Sequence, residues 1–192
     1  MANIKLKRGF KAEAERTSIN LREALGVHAC AKLCAFDLAN HLNLKIHKAT
    51  DFLKDERSLD LLKGTNGCKN EWSALTMLNV NEQRLIIYNP FNSEVRQQSD
   101  IMHEIAHIIC KHELSNETYD FKLPFGMREY NEMQEEEAKC LGASLQLSKP
   151  ALLWARKRNL THEQISQEFN ASIEMIRYRM AMTGIFKFKA KI

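Results

Sequence analysis

Between Glu94 and Lys111 the chain contains neither Gly nor Pro, and Ile101, Ile105, Ile108 and Ile109 recur at the spacing of one helical face. Such a stretch folds as a helix that must bury one side against partners. The rest of the sequence supplies those partners mainly as further helices, because 192 residues with only 7 Gly and 3 Pro lack the turn residues that an all-β sandwich needs. The length suits one compact domain, or one domain with a small appendage. The expected class is α+β, mostly helical.

Hydrophobic period divides the chain into elements. Helices are expected over Arg16 to Leu25, ended by Gly26, over Ala29 to Leu42, and over Leu53 to Lys63 before the turn Gly64 to Gly67. At Trp72 the period falls to two and continues to Leu78. Arg84 to Tyr88 is rich in β-branched and aromatic residues, and Asn79 to Gln83 joins the two runs as an antiparallel hairpin. Tyr88-Asn-Pro90 ends the second strand, with Asn92 or Ser93 as the cap of the Glu94–Lys111 helix. Ser115 to Arg128, with Pro124 and Gly126, reads as a long loop of the functional kind, and helix resumes from about Tyr130 to Leu147. Three helices close the chain: Ala151 to Arg158 behind Pro150, Thr161 to Phe169 behind a capping box, and Ser172 to Met182. We divide the chain into an N-terminal helical segment (1–70) packed on a core (71–147), and a basic C-terminal helical segment (148–192).

Several classes drop out. The longest apolar runs, such as Leu85 to Tyr88, fall far short of the roughly 20 residues that span a bilayer. Met1 to Arg16 mixes charges without the apolar stretch of a secretory signal, so a cytoplasmic location is expected. Five scattered cysteines (Cys30, Cys34, Cys68, Cys110 and Cys140) read as reduced thiols rather than a disulfide framework or a zinc-thiolate site.

The chemistry concentrates in His103-Glu104-Ile105-Ala106-His107. Residues four apart share a helical face, so the two imidazoles can meet one Zn²⁺ at about 2.0–2.1 Å, while Glu104 can act as general base toward a water activated there. A third ligand is needed, and Gln134-Glu135-Glu136-Glu137-Ala138 offers it near the start of a helix. With Ala138, Leu141, Gly142 and Leu145 marking the packed face, Glu135 lies roughly 70° from its centre, Glu137 roughly 90°, and Glu136 nearly opposite. Glu135 is the first choice and Glu137 the second. Asp100, one turn before His103, is a candidate for orienting that ligand. His112, turned about 140° from His107 on a continuing helix, is expected to be structural or exposed. His28, His41, His47 and His162 stand alone.

From Trp72 to about Thr183 the chain resembles the ImmA/IrrE family of zinc-dependent metallopeptidases. The resemblance rests on Arg84-Leu-Ile-Ile-Tyr-Asn-Pro90, Ser99-Asp-Ile-Met-His-Glu-Ile-Ala-His107, Glu135-Glu-Glu-Ala-Lys-Cys-Leu-Gly-Ala143 and Leu145-Gln-Leu-Ser-Lys-Pro150. It implies a zincin-like core of helices with a small antiparallel sheet, and one zinc held by His103, His107 and a glutamate in the pattern Glu-x-x-Ala-Asn, which again selects Glu135. It also implies cleavage of a narrow protein substrate, a repressor, antitoxin-like partner or other transcriptional regulator encoded nearby, in mobile elements or stress responses. The chain departs from the pattern at Lys139, where the family usually has Asn or Asp beside the ligand, and at Gln146-Leu-Ser148, where it usually has Leu-Met-Pro.

The last segment is basic: residues 148–192 carry nine Lys or Arg against three Glu. Its final two helices have the form of a helix-turn-helix, packed through Ile165, Phe169, Ile173, Ile176 and Met180. A DNA-reading role would fall to Arg177 and Arg179, and docking of a protein is the competing use of such a pair. The sequence thus carries two functions of different class, a zinc metalloendopeptidase and a DNA- or protein-binding regulator whose metal is structural.

Overall fold

The computed structural model describes residues 6–68, 70, 72–79, 81, 83–112 and 131–185. The expected loop Ser115 to Arg128 and the basic residues Lys187, Lys189 and Lys191 lie outside them. In chain order the elements are α1 (Phe10–Ala24), α2 (Ala35–His41), β1 (Lys45–Lys48), α3 (Glu56–Lys63), β2 (Ala74–Leu78), β3 (Arg84–Tyr88), α4 (Glu94–Ile109), α5 (Glu132–Gln146), α6 (Lys149–Lys157), α7 (His162–Phe169) and α8 (Ile173–Thr183).

Most expected elements form, with shifted ends. α1 starts earlier, behind Gly9 in the left-handed region. α2 starts later, at Ala35, whose N–H donates to Gln98 Oε1 of α4 at 2.7 Å, so the cap comes from a distant helix. The hairpin β2–β3 is antiparallel, as its period implies. The sheet is nevertheless mixed rather than antiparallel: β1 pairs in parallel on the far side of β3, giving the order β1-β3-β2. Lys45-Ile-His-Lys48 has a single aliphatic residue and carries little strand signal of its own; pairing with β3 makes it a strand.

Asn89 fixes the passage from sheet to helix. Fully buried, it donates from Nδ2 to the carbonyls of Leu62 and Trp72 and accepts the Phe91 N–H on Oδ1. Ser93 then caps α4. One side of α4 packs on the sheet and α2, the other runs along α5, and Ile101, Met102, Ile105 and Ala106 are fully buried between them. α5 is the central helix: from Glu137 to Gln146 every position except Lys139 is buried, with α4, α1 and α8 packed around it.

Two buried arginines tie the ends of the chain to the end of α5. Arg22 of α1 donates to the carbonyls of Ser18, Ala31, Leu145 and Gln146. Arg179 of α8 donates to Leu147 O at 2.7 Å and pairs with Glu15 at 2.7 Å. Glu15 also accepts the Lys149 N–H at the start of α6. Cations at a helix C-terminus are favoured by its dipole, and the last carbonyls of α5 have no partner within their own helix. Burial, with the neighbouring Arg179 charge adding to it, brings the Arg22 guanidinium down to about 10.

This arrangement corrects one reading of the sequence. Arg179, paired above with Arg177 as a nucleic-acid candidate, is 0% exposed and spends its donors inside the protein. Arg177 remains exposed. The closing helices do form a compact pair: Ile165, Phe169, Ile176 and Met180 are buried, in a cluster of their own with Leu152 and Ala155 of α6.

Replacing Arg22 by Leu removes donors from carbonyls that stay buried, at roughly 1–3 kcal/mol for each acceptor left without a partner. We expect Arg22→Leu to lower the unfolding free energy by about 3 kcal/mol in a urea titration. A loss below about 1 kcal/mol would mean that the end of α5 does not depend on this cation.

Candidate metal centre

α4 and α5 meet at backbone distance. A Cβ built on Gly142 would lie 3.0 Å from Met102 O and 3.1 Å from His103 Cα, so a larger residue at this crossing would press on the α4 backbone and push the helices apart by a few tenths of an ångström. Seven residues toward the N-terminus, two turns along the same side of α5, stands Glu135, in the first turns after the Asn131 cap.

Three donor atoms converge there. His103 Nε2 and His107 Nε2 are 3.0 Å apart, Glu135 Oε2 is 3.1 Å from His103 Nε2, and Glu135 Oε1 is 3.4 Å from His107 Nε2. Among the described residues this is the group of His, Cys, Asp and Glu side chains able to hold a metal ion. Ligands at about 2.0–2.1 Å around a tetrahedral ion are separated by roughly 3.3 Å, the edge of the tetrahedron. The observed spacings bracket that edge, and two imidazoles with one carboxylate suit a divalent cation of zinc's type, so the residues fit the group. His107 is buried, whereas the His103 and Glu135 side chains keep 31% and 25% exposure, so one side of the cluster faces outward. Burial alone would favour a neutral Glu135. The hydrogen-bonded imidazoles outweigh it and hold the carboxyl far below the usual carboxylate range.

Glu104 follows His103 on α4 and is turned about 100° from it, toward the sheet. Its side chain is buried, and Thr76 of β2 donates to Oε2 at 2.6 Å. The sequence reading did not single out Thr76; alternation in β2 fixes which face it takes, but not that Glu104 lies opposite.

The remaining candidates separate. Glu137, the second choice for the third ligand, points away from the cluster: Oε2 lies 3.1 Å from His112 Nε2 and Oε1 3.4 Å from Lys7 Nζ. Asp100 lies within electrostatic reach of His103, but its carboxylate accepts from Asn92 at 3.4 Å and pairs with Arg96 at 3.6 Å; burial pushes its carboxyl above the ordinary range. Lys139 pairs with Glu136 at 3.8 Å and lies over the Tyr178 ring.

His112 is the residue the sequence reading placed wrongly in space. α4 ends at Ile109, and Lys111 takes a left-handed conformation (φ 55°). The N–H of His112 then bonds His107 O and that of Lys111 bonds Ile108 O, the paired pattern of a Schellman turn. The chain folds back, and the two imidazoles meet at 2.7 Å between their Nδ1 atoms.

Beside His103 a cavity of about 380 Å³ lies between α4, α5 and α8, lined among others by Lys139, Gly142, Met175 and Tyr178. α8 is therefore a wall of the space next to the cluster.

Comparisons with known proteins agree with this architecture. A family model described as the IrrE N-terminal-like domain, Peptidase_M78, matches residues 67–181, over half the chain. No curated protein matches it. Among solved structures, a Mycobacterium tuberculosis transcriptional regulator is similar at a TM-score of 0.55 and 12% identity, over 92% of this chain and 48% of that one. This chain thus spans about half the length of that protein, and at such identity the likeness is one of fold.

Gly142→Ala places a methyl group against the α4 backbone. Expected are a stability loss of about 1–3 kcal/mol in denaturant titration and a weaker grip on added Zn²⁺, because Glu135 is carried away from His103. Unchanged values in both measurements would show that the helices can part without opening the cluster.

Proposed function

The chain belongs to the Peptidase_M78 family of IrrE N-terminal-like domains, and on that premise we propose that it is a cytoplasmic zinc metalloendopeptidase that cuts a specific regulatory protein. The observation that carries the proposal is the meeting of His103, His107 and Glu135 at 3.0–3.4 Å beside a buried Glu104. In this reading those three residues are the metal ligands and Glu104 the general base. The core, 71–147, carries the chemistry; 1–70 braces it and 148–192 closes its side.

A divalent zinc ion held by His103, His107 and Glu135 would supply Lewis acidity toward the scissile carbonyl. The protein's own groups do the rest. Glu104 takes the proton of the attacking water and passes it to the leaving amine. Thr76, by donating to Oε2, holds that carboxylate in one orientation. β2 is an outer strand of the sheet, order β1-β3-β2, and Thr76 stands on it, so an extended peptide added along β2 would run past Glu104. Hydrogen bonds from the strand give such a substrate its grip, and side-chain pockets give it its identity.

The competing reading, a DNA-binding regulator with a structural metal, loses half of its proposed base-reading pair to the interior, since Arg179 is fully buried. The regulator named among the similar structures supports a regulatory setting, which a narrow protein substrate also provides.

Glu104→Gln keeps the side chain's shape and removes the base. Expected are unchanged zinc content and a fall in cleavage of roughly 10²–10⁴-fold. Labelling new protein N-termini in cells that make either form reads this out: wild type generates an internal terminus in a regulator that the variant lacks. Identical termini from both would reject the peptidase reading.

A further inference from the structure

The Nδ1 side of His107 is as closely engaged as its Nε2 side. His107 Nδ1 lies 2.7 Å from His112 Nδ1, and His112 Nε2 lies 3.1 Å from Glu137 Oε2. All three side chains are buried. We infer that His112 and Glu137 form a positioning relay that fixes the tautomer and ring orientation of His107, and thereby sets the metal affinity of the centre. The inference rests on the metal-centre reading above and assigns a role to two residues outside the ligand set.

Proton bookkeeping gives the relay its direction. A neutral imidazole carries one N–H, so of two Nδ1 atoms 2.7 Å apart one donates and the other accepts. If His107 offers its Nε2 lone pair to a cation, its proton sits on Nδ1 and is donated to His112. His112 then accepts on Nδ1 and carries its own proton on Nε2, aimed at Glu137. A carboxylate only accepts, so the chain of donors terminates correctly. In the reverse chain of neutral rings, His112 donates from Nδ1 and turns an Nε2 lone pair on the Glu137 oxygen, lone pair against lone pair. With a cation on the Nε2 side, the Glu137 carboxylate therefore supports, from behind, the tautomer that turns the His107 Nε2 lone pair to the metal. This is the logic by which partners behind a ligating histidine act, extended by one ring.

The backbone holds the relay in place. The left-handed turn at Lys111 returns His112 to His107, the His112 N–H bonds His107 O at 3.0 Å, and Arg84 of β3 donates to His112 O at 3.3 Å. Glu137 comes from α5, two positions after Glu135, so one helix supplies a ligand on one side of His107 and the relay's terminus on the other. Lys7 Nζ, 3.4 Å from Glu137 Oε1, adds a cation at that terminus.

The test uses the full chain, with Zn²⁺ affinity from competition against a chromophoric chelator, the visible spectrum of the Co²⁺-loaded form, and thermal melting of the metal-free form. His112→Ala should weaken Zn²⁺ binding roughly 10–100-fold and alter the Co²⁺ spectrum. His112→Asn, whose Oδ1 falls near the place of the lost Nδ1, should recover most of that affinity, which a purely structural role would not require. Glu137→Gln replaces an acceptor by a group that donates as readily, and should weaken binding severalfold; it keeps the relay testable if the alanine variant does not fold. Wild-type affinity and spectrum in the alanine variant, or in Glu137→Gln where alanine does not fold, would overturn the relay and leave the metal centre standing. A wild-type chain that takes up neither ion would overturn both.

Discussion

The contact between α4 and α5 at Gly142 governs the rest of this structure. Two histidines one turn apart are a local matter, settled by helical geometry within α4. The third donor is not local: it arrives from a second helix and must come within about 3 Å of both rings. Side chains as long as His and Glu span an ordinary helix–helix separation of roughly 8–10 Å once the two helices pack face to face. Gly142, whose missing Cβ leaves room for Met102 O and the His103 backbone, lets α5 lie close along α4 there. The surroundings then keep α5 where it is, with α1 and α8 packed beside it and Arg22 and Arg179 donating to its last carbonyls. These arginines lie far along α5 from Glu135, yet they anchor the helix that delivers it.

Much of this was legible in the sequence, and what was legible has a common character. α4, α5 and the β2–β3 hairpin were read from hydrophobic period, and Glu135 was preferred over Glu137 by angle around a helix. Such arguments work while the period persists and the neighbours are those of an undisturbed element. They fail where the chain leaves it. His112 was referred to a helix that had already ended, because Lys111 is neither Gly nor Asn and gives no sign of a left-handed turn. β1 was missed because its strand character lies in its partner. Arg179 looked like a surface cation because nothing local distinguishes an arginine that reads a ligand from one that caps another helix.

The two kinds of failure meet in the same place. His112 and Glu137 were weighed separately, one as an outlying histidine and the other as a spare ligand, and each was unconvincing in that role. Brought together they make sense of each other: Glu137 is turned from the metal cluster because His112 occupies the space behind His107. A carboxylate two residues from a ligand points elsewhere on a helix by about 200°, so Glu135 and Glu137 cannot serve one ion from the same helix, but they can address opposite sides of one ring.

The C-terminal helices also change meaning once placed. Their charge suggested a polyanion, but charge counted along a sequence does not say where it is spent. Arg179 is consumed in the interior, while Met175 and Tyr178 of the same helix face the cavity next to His103. α8 thus lays one side against α5 and turns another toward the cluster, while Arg177 stays exposed. It forms one wall of the cavity, where a change of side chain at Met175 or Tyr178 would alter what fits beside His103 without touching His103, His107 or Glu135.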